Sequence, residues 1–187
     1  MLRTSTTDFS EQFFAWSEKQ VEGWGYDKET TKKYNELVKE AQSQTDAGDG
    51  KAAIESWEAI RKLRPVDQLP YMRLAGLYLS RETKDARKAF ECLVRLHDVS
   101  LKDNRFAKRI ARLCMQELND PAKAERYAME AVHIDPYDLD AHELLAQVHE
   151  KTGNEAGSER EARVIPVLKQ WLADYRKSTL FEGAPQP

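Results

Sequence analysis

Apolar residues recur at intervals of three and four along most of this chain, as in Ala53, Trp57, Ile60 and Leu63, or Phe90, Leu93 and Leu96. That spacing gathers each set on one face of an α-helix and leaves the opposite face polar. Strands would need apolar–polar alternation rich in β-branched residues, whereas Val, Ile and Thr are scattered singly. Turn residues interrupt the helical pattern at regular intervals. Gly48-Asp49-Gly50 breaks one run. Arg64-Pro65 ends the next, because the residue before a proline is pushed out of the helical region. Pro121, after Asn119-Asp120, suits the first turn of a following helix. Asp135-Pro136 and Gly153-Asn154 punctuate the remainder. The pattern predicts an all-α chain of helices about a dozen residues long, joined by short turns.

Within that alternation a unit repeats. Residues 139–160 carry Leu145-Ala146, then His149, then Gly153-Asn154 at a turn, and the preceding segment places Ala124, Ala128, Ala131 and Pro136 in a second helix. The same signature returns as Ala53, Trp57, Ile60 and Pro65 after the Gly48-Asp49 turn. Its first helix runs from about Tyr34 to Thr45. A further unit offers Tyr71, Leu74, Ala75 and Tyr78, followed by Ala86, Phe90 and Leu93; another offers Ala107, Ile110, Ala111 and Cys114, followed by Ala124. The small residues Ala41, Ala75, Ala111 and Ala146 are separated by 34, 36 and 35 positions. Small residues where two helices cross let the backbones approach, and a large neighbour fills the space beside them.

This pattern resembles the tetratricopeptide repeat, a unit of about 34 residues with small or aromatic residues at such positions and a proline closing its second helix. The resemblance covers residues 31–165, as about four hairpins, and implies a right-handed superhelix of stacked antiparallel helix hairpins. Departures are an extra residue near Glu82-Thr83, the Asp98–Asn104 linker in place of a closing proline, and Ser158 where alanine is usual. Residues 1–30 form an aromatic helical extension or cap, with Phe9, Phe13, Phe14 and Trp16 in a helix reaching about Glu22 before Gly23-Trp24-Gly25. Residues 166–187 supply a capping helix with Val167, Leu168, Trp171, Leu172 and Tyr175 on one face, then a disordered tail from Glu182.

Composition narrows the function. The chain has 187 residues, 33% charged and 41% hydrophobic, with 29 basic and 32 acidic residues and a net charge of −3. Such balance argues against a general nucleic-acid binder. No run approaches the roughly 18 apolar residues of a membrane helix. The start carries no secretory pattern, which points to a cytoplasmic chain unless it is a piece of a longer polypeptide. Two cysteines do not make a disulfide scaffold.

Candidate chemistry is sparse. His142 and His149 lie seven apart, about 10 Å along a helix, too far to grip one metal together. No HExxH pair, phosphate loop or triad ordering is present, so no catalytic, metal or cofactor residue is assigned and the chain reads as non-enzymatic. The repeat resemblance instead implies a concave groove, lined by the first helices of successive hairpins, that receives an extended peptide or a helix. Mapping by the crossing alanines puts Val38 and Gln42 there in the first unit, and Met72, Gly76 and Leu79 in the second. Arg105, Lys108, Arg109 and Arg112 follow in the third, and Asp140, Glu143, Gln147 and Glu150 in the fourth. Residues 81–112 hold 10 basic and 5 acidic side chains, and residues 135–161 hold 8 acidic and 2 basic. The basic zone suits a carboxylate or acidic segment of a protein partner, but opposite charges on neighbouring repeats also suit pairing with each other. Val38 and Gln42 replace the lysine and asparagine with which some members of the repeat family grip a chaperone C-terminus. An alternative reading makes the chain an accessory module following a hydrolase or metallopeptidase domain in a longer polypeptide. A nucleic-acid-contacting array through Arg105–Arg112 lacks stacking aromatics in the groove.

Overall fold

The computed structural model describes residues 6–181, and these contain helices and turns but no strand. The helices are α1 (Thr6–Val21), α2 (Lys28–Asp46), α3 (Gly50–Leu63), α4 (Gln68–Leu79), α5 (Ala86–Val99), α6 (Asn104–Gln116), α7 (Pro121–Ile134), α8 (Leu139–Thr152) and α9 (Glu155–Phe181). One device opens α2 through α8. Asp27, Asp49, Asp67, Asp85, Asp103, Asp120 and Asp138 are their N-caps, each accepting a hydrogen bond from a backbone N–H of the first turn. A carboxylate there satisfies an orphan donor and meets the positive end of the helix dipole. The predicted tail, residues 182–187, lies outside the described residues.

The chain divides into two compact units, Met1–Thr83 and Lys84–Pro187. The division falls between α4 and α5, which the repeat pattern pairs as its second hairpin. In the first unit α3 packs against both α2 and α4. Ala41, Ala53, Trp57, Ile60, Leu74 and Ala75 are fully buried between them. Burying a large apolar side chain such as Trp57 or Ile60 stabilises by roughly 1.5–3 kcal/mol, so these set the order of the three helices. Arg64, read in the sequence only as a helix end, is buried and clasps the chain before α2. Its Nε donates to the Gly25 carbonyl at 2.7 Å and its Nη2 to Thr31 Oγ1 at 2.5 Å. The guanidinium lies 4.5 Å from the Tyr26 ring centroid and 4.2 Å from that of Tyr34. Gly25 has φ +75°, and a Cβ there would sit 2.0 Å from the Leu63 carbonyl oxygen, so no other residue fits under the clasp.

In the second unit each helix from α5 to α9 packs on the next, and α6 also touches α8. Ala107, Ile110, Ala111 and Cys114 of α6 are completely buried, as are Ala124, Ala128 and Ala131 of α7. Three positions differ from the sequence reading. Ala89, not the half-buried Ala86, is the fully buried small residue near the start of α5. Ala146 is only half-buried, and the tight approach of α8 to α9 is made by Gly157, where a Cβ would lie 2.6 Å from the His149 ring. Ser158 therefore does not take the small-residue position; the short Gly153-Asn154 turn brings α9 in one residue earlier. Finally, Pro166 does not separate a repeat helix from a cap, because α9 runs through it. Pro166 is exposed, so solvent can take the carbonyl that its missing N–H leaves unpaired.

Candidate functional site

The first unit carries an open cavity of about 500 Å³ between α2 and α4. Val38, Lys39, Gln42, Ser43 and Asp46 of α2 form one wall, and Leu69 and Arg73 of α4 the other; Trp57 of α3 closes the floor. Helical spacing explains the walls: Val38 with Gln42, Lys39 with Ser43, Gln42 with Asp46, and Leu69 with Arg73 are each four apart and share a face. Trp57 is held by its core position and by an Nε1–H bond to Thr45 Oγ1 at 3.2 Å. The far end is fixed by Tyr34, whose hydroxyl donates to the α4 cap Asp67 at 2.5 Å. Burial, reinforced by that bond, raises the Tyr34 pKa and keeps the hydroxyl a donor.

The charge of this cavity is unequal. Asp46 accepts from Gln42 Nε2 at 2.7 Å. The Arg73 guanidinium sits 6.0 Å from the Trp57 ring centroid. Neither Lys39 nor Arg73 forms an ion pair among the described residues. Half-buried Val38 and Leu69, with two cations against the single carboxylate of Asp46, suit a ligand that offers an apolar side chain and a carboxylate.

The basic zone on α6 has a different state. Lys108 Nζ lies 2.5 Å from Asp138 and 2.8 Å from Asp140, and Arg112 pairs with Asp140. Asn104 Nδ2 donates to the same Asp138 at 2.7 Å. Burial alone would lower the Lys108 pKa, but its bonds to the two aspartates carry it above the usual lysine range. Burial likewise opposes ionisation of Asp138, and bonds from Lys108 and Asn104 overcome it, leaving the carboxyl below its ordinary range. Arg105 folds back on its own helix cap, Asp103, at 2.7 Å. Arg109 is exposed and forms no ion pair among the described residues. Glu143 pairs with Lys169 at 2.8 Å, and Gln147 is exposed on α8. Met72 and Leu79 are exposed on α4 but do not line the cavity. Of the positions mapped by the repeat register, Val38 and Gln42 do. Lys39, Leu69 and Arg73 were missed, although their four-residue spacing with other wall residues was visible.

The remaining chemistry-bearing side chains are internal. Glu161, almost wholly buried, accepts from His142 Nδ1 at 2.6 Å and from Arg160 Nε at 2.9 Å. His97 Nε2 lies 3.0 Å from Glu130. His149 Nδ1 is 3.1 Å from Glu125 but off the bonding direction, so neither ring nitrogen is hydrogen-bonded. His133 is exposed. Cys92 and Cys114 are buried free thiols, and burial pushes Cys114 up to about 11. Among the described residues no group of three or more His, Cys, Asp or Glu could hold a metal ion, and no helix is long and apolar enough to cross a membrane.

No family model and no curated protein matches the sequence. Solved structures do match the fold. A crystal structure of MamA aligns with 93% of this chain and 100% of its own at a TM-score of 0.61 and 15% identity. A MamA RS-1 double mutant aligns with 74% of this chain and 76% of its own, at 0.61 and 17%. MamA 41-end from Desulfovibrio magneticus RS-1 aligns with 73% and 76%, at 0.58 and 17%. The likeness is one of fold: this chain has the all-α, tetratricopeptide-like helical-repeat architecture.

Proposed function

We propose that this chain is a non-enzymatic protein-interaction module that receives a short peptide or helix in the α2–α4 cavity of its first unit. The observation that carries the reading is an open cavity of about 500 Å³ in which Lys39 and Arg73 form no ion pair among the described residues and outnumber the one lining carboxylate, Asp46. The helical-repeat fold supports it, because adjacent helices of such arrays present long concave surfaces to ligands. The favoured ligand carries an apolar side chain for the half-buried Val38 and Leu69 and one or more carboxylates for the rim. This assignment moves the acid-binding role from Arg105, Lys108 and Arg112, whose charges are already met by Asp103, Asp138 and Asp140.

Selection from a random peptide-display library tests it. Enriched sequences are expected to combine an apolar residue with Asp or Glu. The Arg73→Glu variant, folded by circular dichroism, should lose most of their capture. Enrichment that ignores both Arg73→Glu and Lys39→Glu would place the binding surface elsewhere.

A further inference from the structure

Helix α9 outruns the helix it caps. The close approach of Gly157 to His149 near the turn, and the Glu143–Lys169 pair near the start of α8, set the two antiparallel. With 27 residues in α9 against 14 in α8, the last turns of α9, roughly 20 Å, run past the start of α8. Leu168 is still buried; Trp171, Leu172 and Tyr175, at three, four and seven residues on, continue its stripe. Yet Trp171 is 46% exposed and Tyr175 55%. A third ring joins them from the α7–α8 turn, that of Tyr137, 64% exposed. The Tyr137 ring centroid lies 5.4 Å from that of Trp171, which stacks on Tyr175 at 5.6 Å. Three touching rings stand open to solvent where a plain cap would turn polar side chains outward.

The charges beside this ladder of rings leave negative charge to spare. Asp135 accepts from the Tyr137 backbone N–H at 3.0 Å, is exposed, and forms no ion pair among the described residues. Asp174, next to Tyr175 and three residues from Trp171, accepts from Gln170 Nε2 at 2.9 Å. Its one cation, Lys177, lies 3.9 Å away with both side chains more than half exposed, a contact worth little. Lys169 is already held by Glu143 at 2.8 Å. Aromatic faces beside spare carboxylates receive a guanidinium, which stacks flat on a ring and pairs bidentately with a carboxylate. A lysine ammonium fits neither geometry as well. The same carboxylates repel phosphate, which argues against an anionic membrane or a nucleic acid. We infer that the Tyr137–Trp171–Tyr175 ladder docks an arginine-bearing, basic segment of a partner protein.

The size of the surface bounds the partner. An aromatic side chain buries on the order of 150–250 Å² in full, so three rings about half exposed offer roughly 250–400 Å². A standard interface takes about 800 Å² from each side. The ladder therefore suits a short segment with one or two arginines, bound weakly, and not the face of a folded domain. This site lies on the second unit and asks for the charge opposite to that of the α2–α4 cavity, so the two readings stand or fall separately.

Fluorescence anisotropy with labelled decapeptides tests this, titrating the 187-residue chain to about 500 µM, a range that reads weak binding. The probes are an Arg-Gly repeat, a Lys-Gly repeat and decaproline. The Arg-Gly probe is expected to bind, the Lys-Gly probe at least about threefold more weakly, and decaproline not at all. Trp171→Ala/Tyr175→Ala should weaken the Arg-Gly probe at least about fivefold with helicity retained, and Trp171→Phe/Tyr175→Phe should restore most of it. Asp135→Asn/Asp174→Asn keeps every ring and should cost at least about threefold while flattening the salt dependence. Lys39→Gln/Arg73→Gln, which spoils only the α2–α4 cavity, should leave the probe within about twofold. No binding of the Arg-Gly probe, equal binding of Arg-Gly and Lys-Gly, or indifference to the ring variants overturns the inference. So does tighter binding of decaproline, which would make the ladder a proline-rich peptide site.

Discussion

The pair formed by Glu161 and His142 allows a sharp energetic prediction for the docking of α9. Glu161 is 1% exposed, and its carboxylate accepts from His142 Nδ1 at 2.6 Å and Arg160 Nε at 2.9 Å. The other ring nitrogen, Nε2, lies 3.2 Å from the Pro136 carbonyl oxygen. Glu161→Leu leaves Nδ1 facing an apolar wall, and His142→Leu leaves a buried carboxylate with only the half-exposed Arg160. Removing one partner of a buried hydrogen bond costs about 1–3 kcal/mol, and more where a charged group is stranded. Replacing both strands neither, and buried pairs exchanged for well-packed apolar side chains are often near neutral. We predict that the double variant falls short of the sum of the singles by at least about 2 kcal/mol. Hydrogen exchange of α8 and α9 amides is the assay, because two units make one global transition a poor measure and exchange reads local stability. Singles costing under about 1 kcal/mol, or a double equal to their sum, would refute the idea that this pair clamps α9 to α8.

Two further outcomes follow from other sites. Asp138 and Asp140 have depressed pKa values, Asp138 despite its burial and Asp140 chiefly through its bond from Lys108. Their contribution is therefore complete above the unfolded value of about 4 and is lost as pH falls through the lower folded values. Lys108→Met should weaken the second unit by about 1–2 kcal/mol at neutral pH, after allowing for screening at the half-exposed Asp140, and should move the acid midpoint up toward 4. Acid titration followed by circular dichroism reads both; an unchanged midpoint would mean that Lys108 does not hold these carboxylates. Among glycines, Gly157→Ala meets the His149 ring and should cost about 1–3 kcal/mol. Gly76→Ala, inside α4 with open space around it, should gain about 0.4–1 kcal/mol. Thermal melts compare them, and equal effects would contradict the packing described.

Much of the architecture is local and could be read directly. The three-and-four spacing, the breaks at Gly48-Asp49-Gly50 and Arg64-Pro65, and the recurring alanines announce helix hairpins, since helix formation and capping depend on residues within a few positions of each other. Asp27, Asp49, Asp67, Asp85, Asp103, Asp120 and Asp138 repeat the message at seven helix starts, a signal visible in the sequence and missed. Pro166 misled for the opposite reason: its cost depends on which way the helix faces, and on an exposed face α9 absorbs it. The candidate site was legible only in part. Register placed Val38 and Gln42 in the cavity wall, but the choice between a basic ligand site and an internal network rested on partners about thirty residues away. Lys108 reaches Asp138 across the α6–α8 contact, whereas Lys39 and Arg73 form no ion pair among the described residues. The amino-acid sequence by itself determined where helices begin, end and turn their apolar faces. Only the tertiary structure decided which charges pair within the protein and which do not, because an ion pair depends on distances of a few ångströms that chain spacing does not specify.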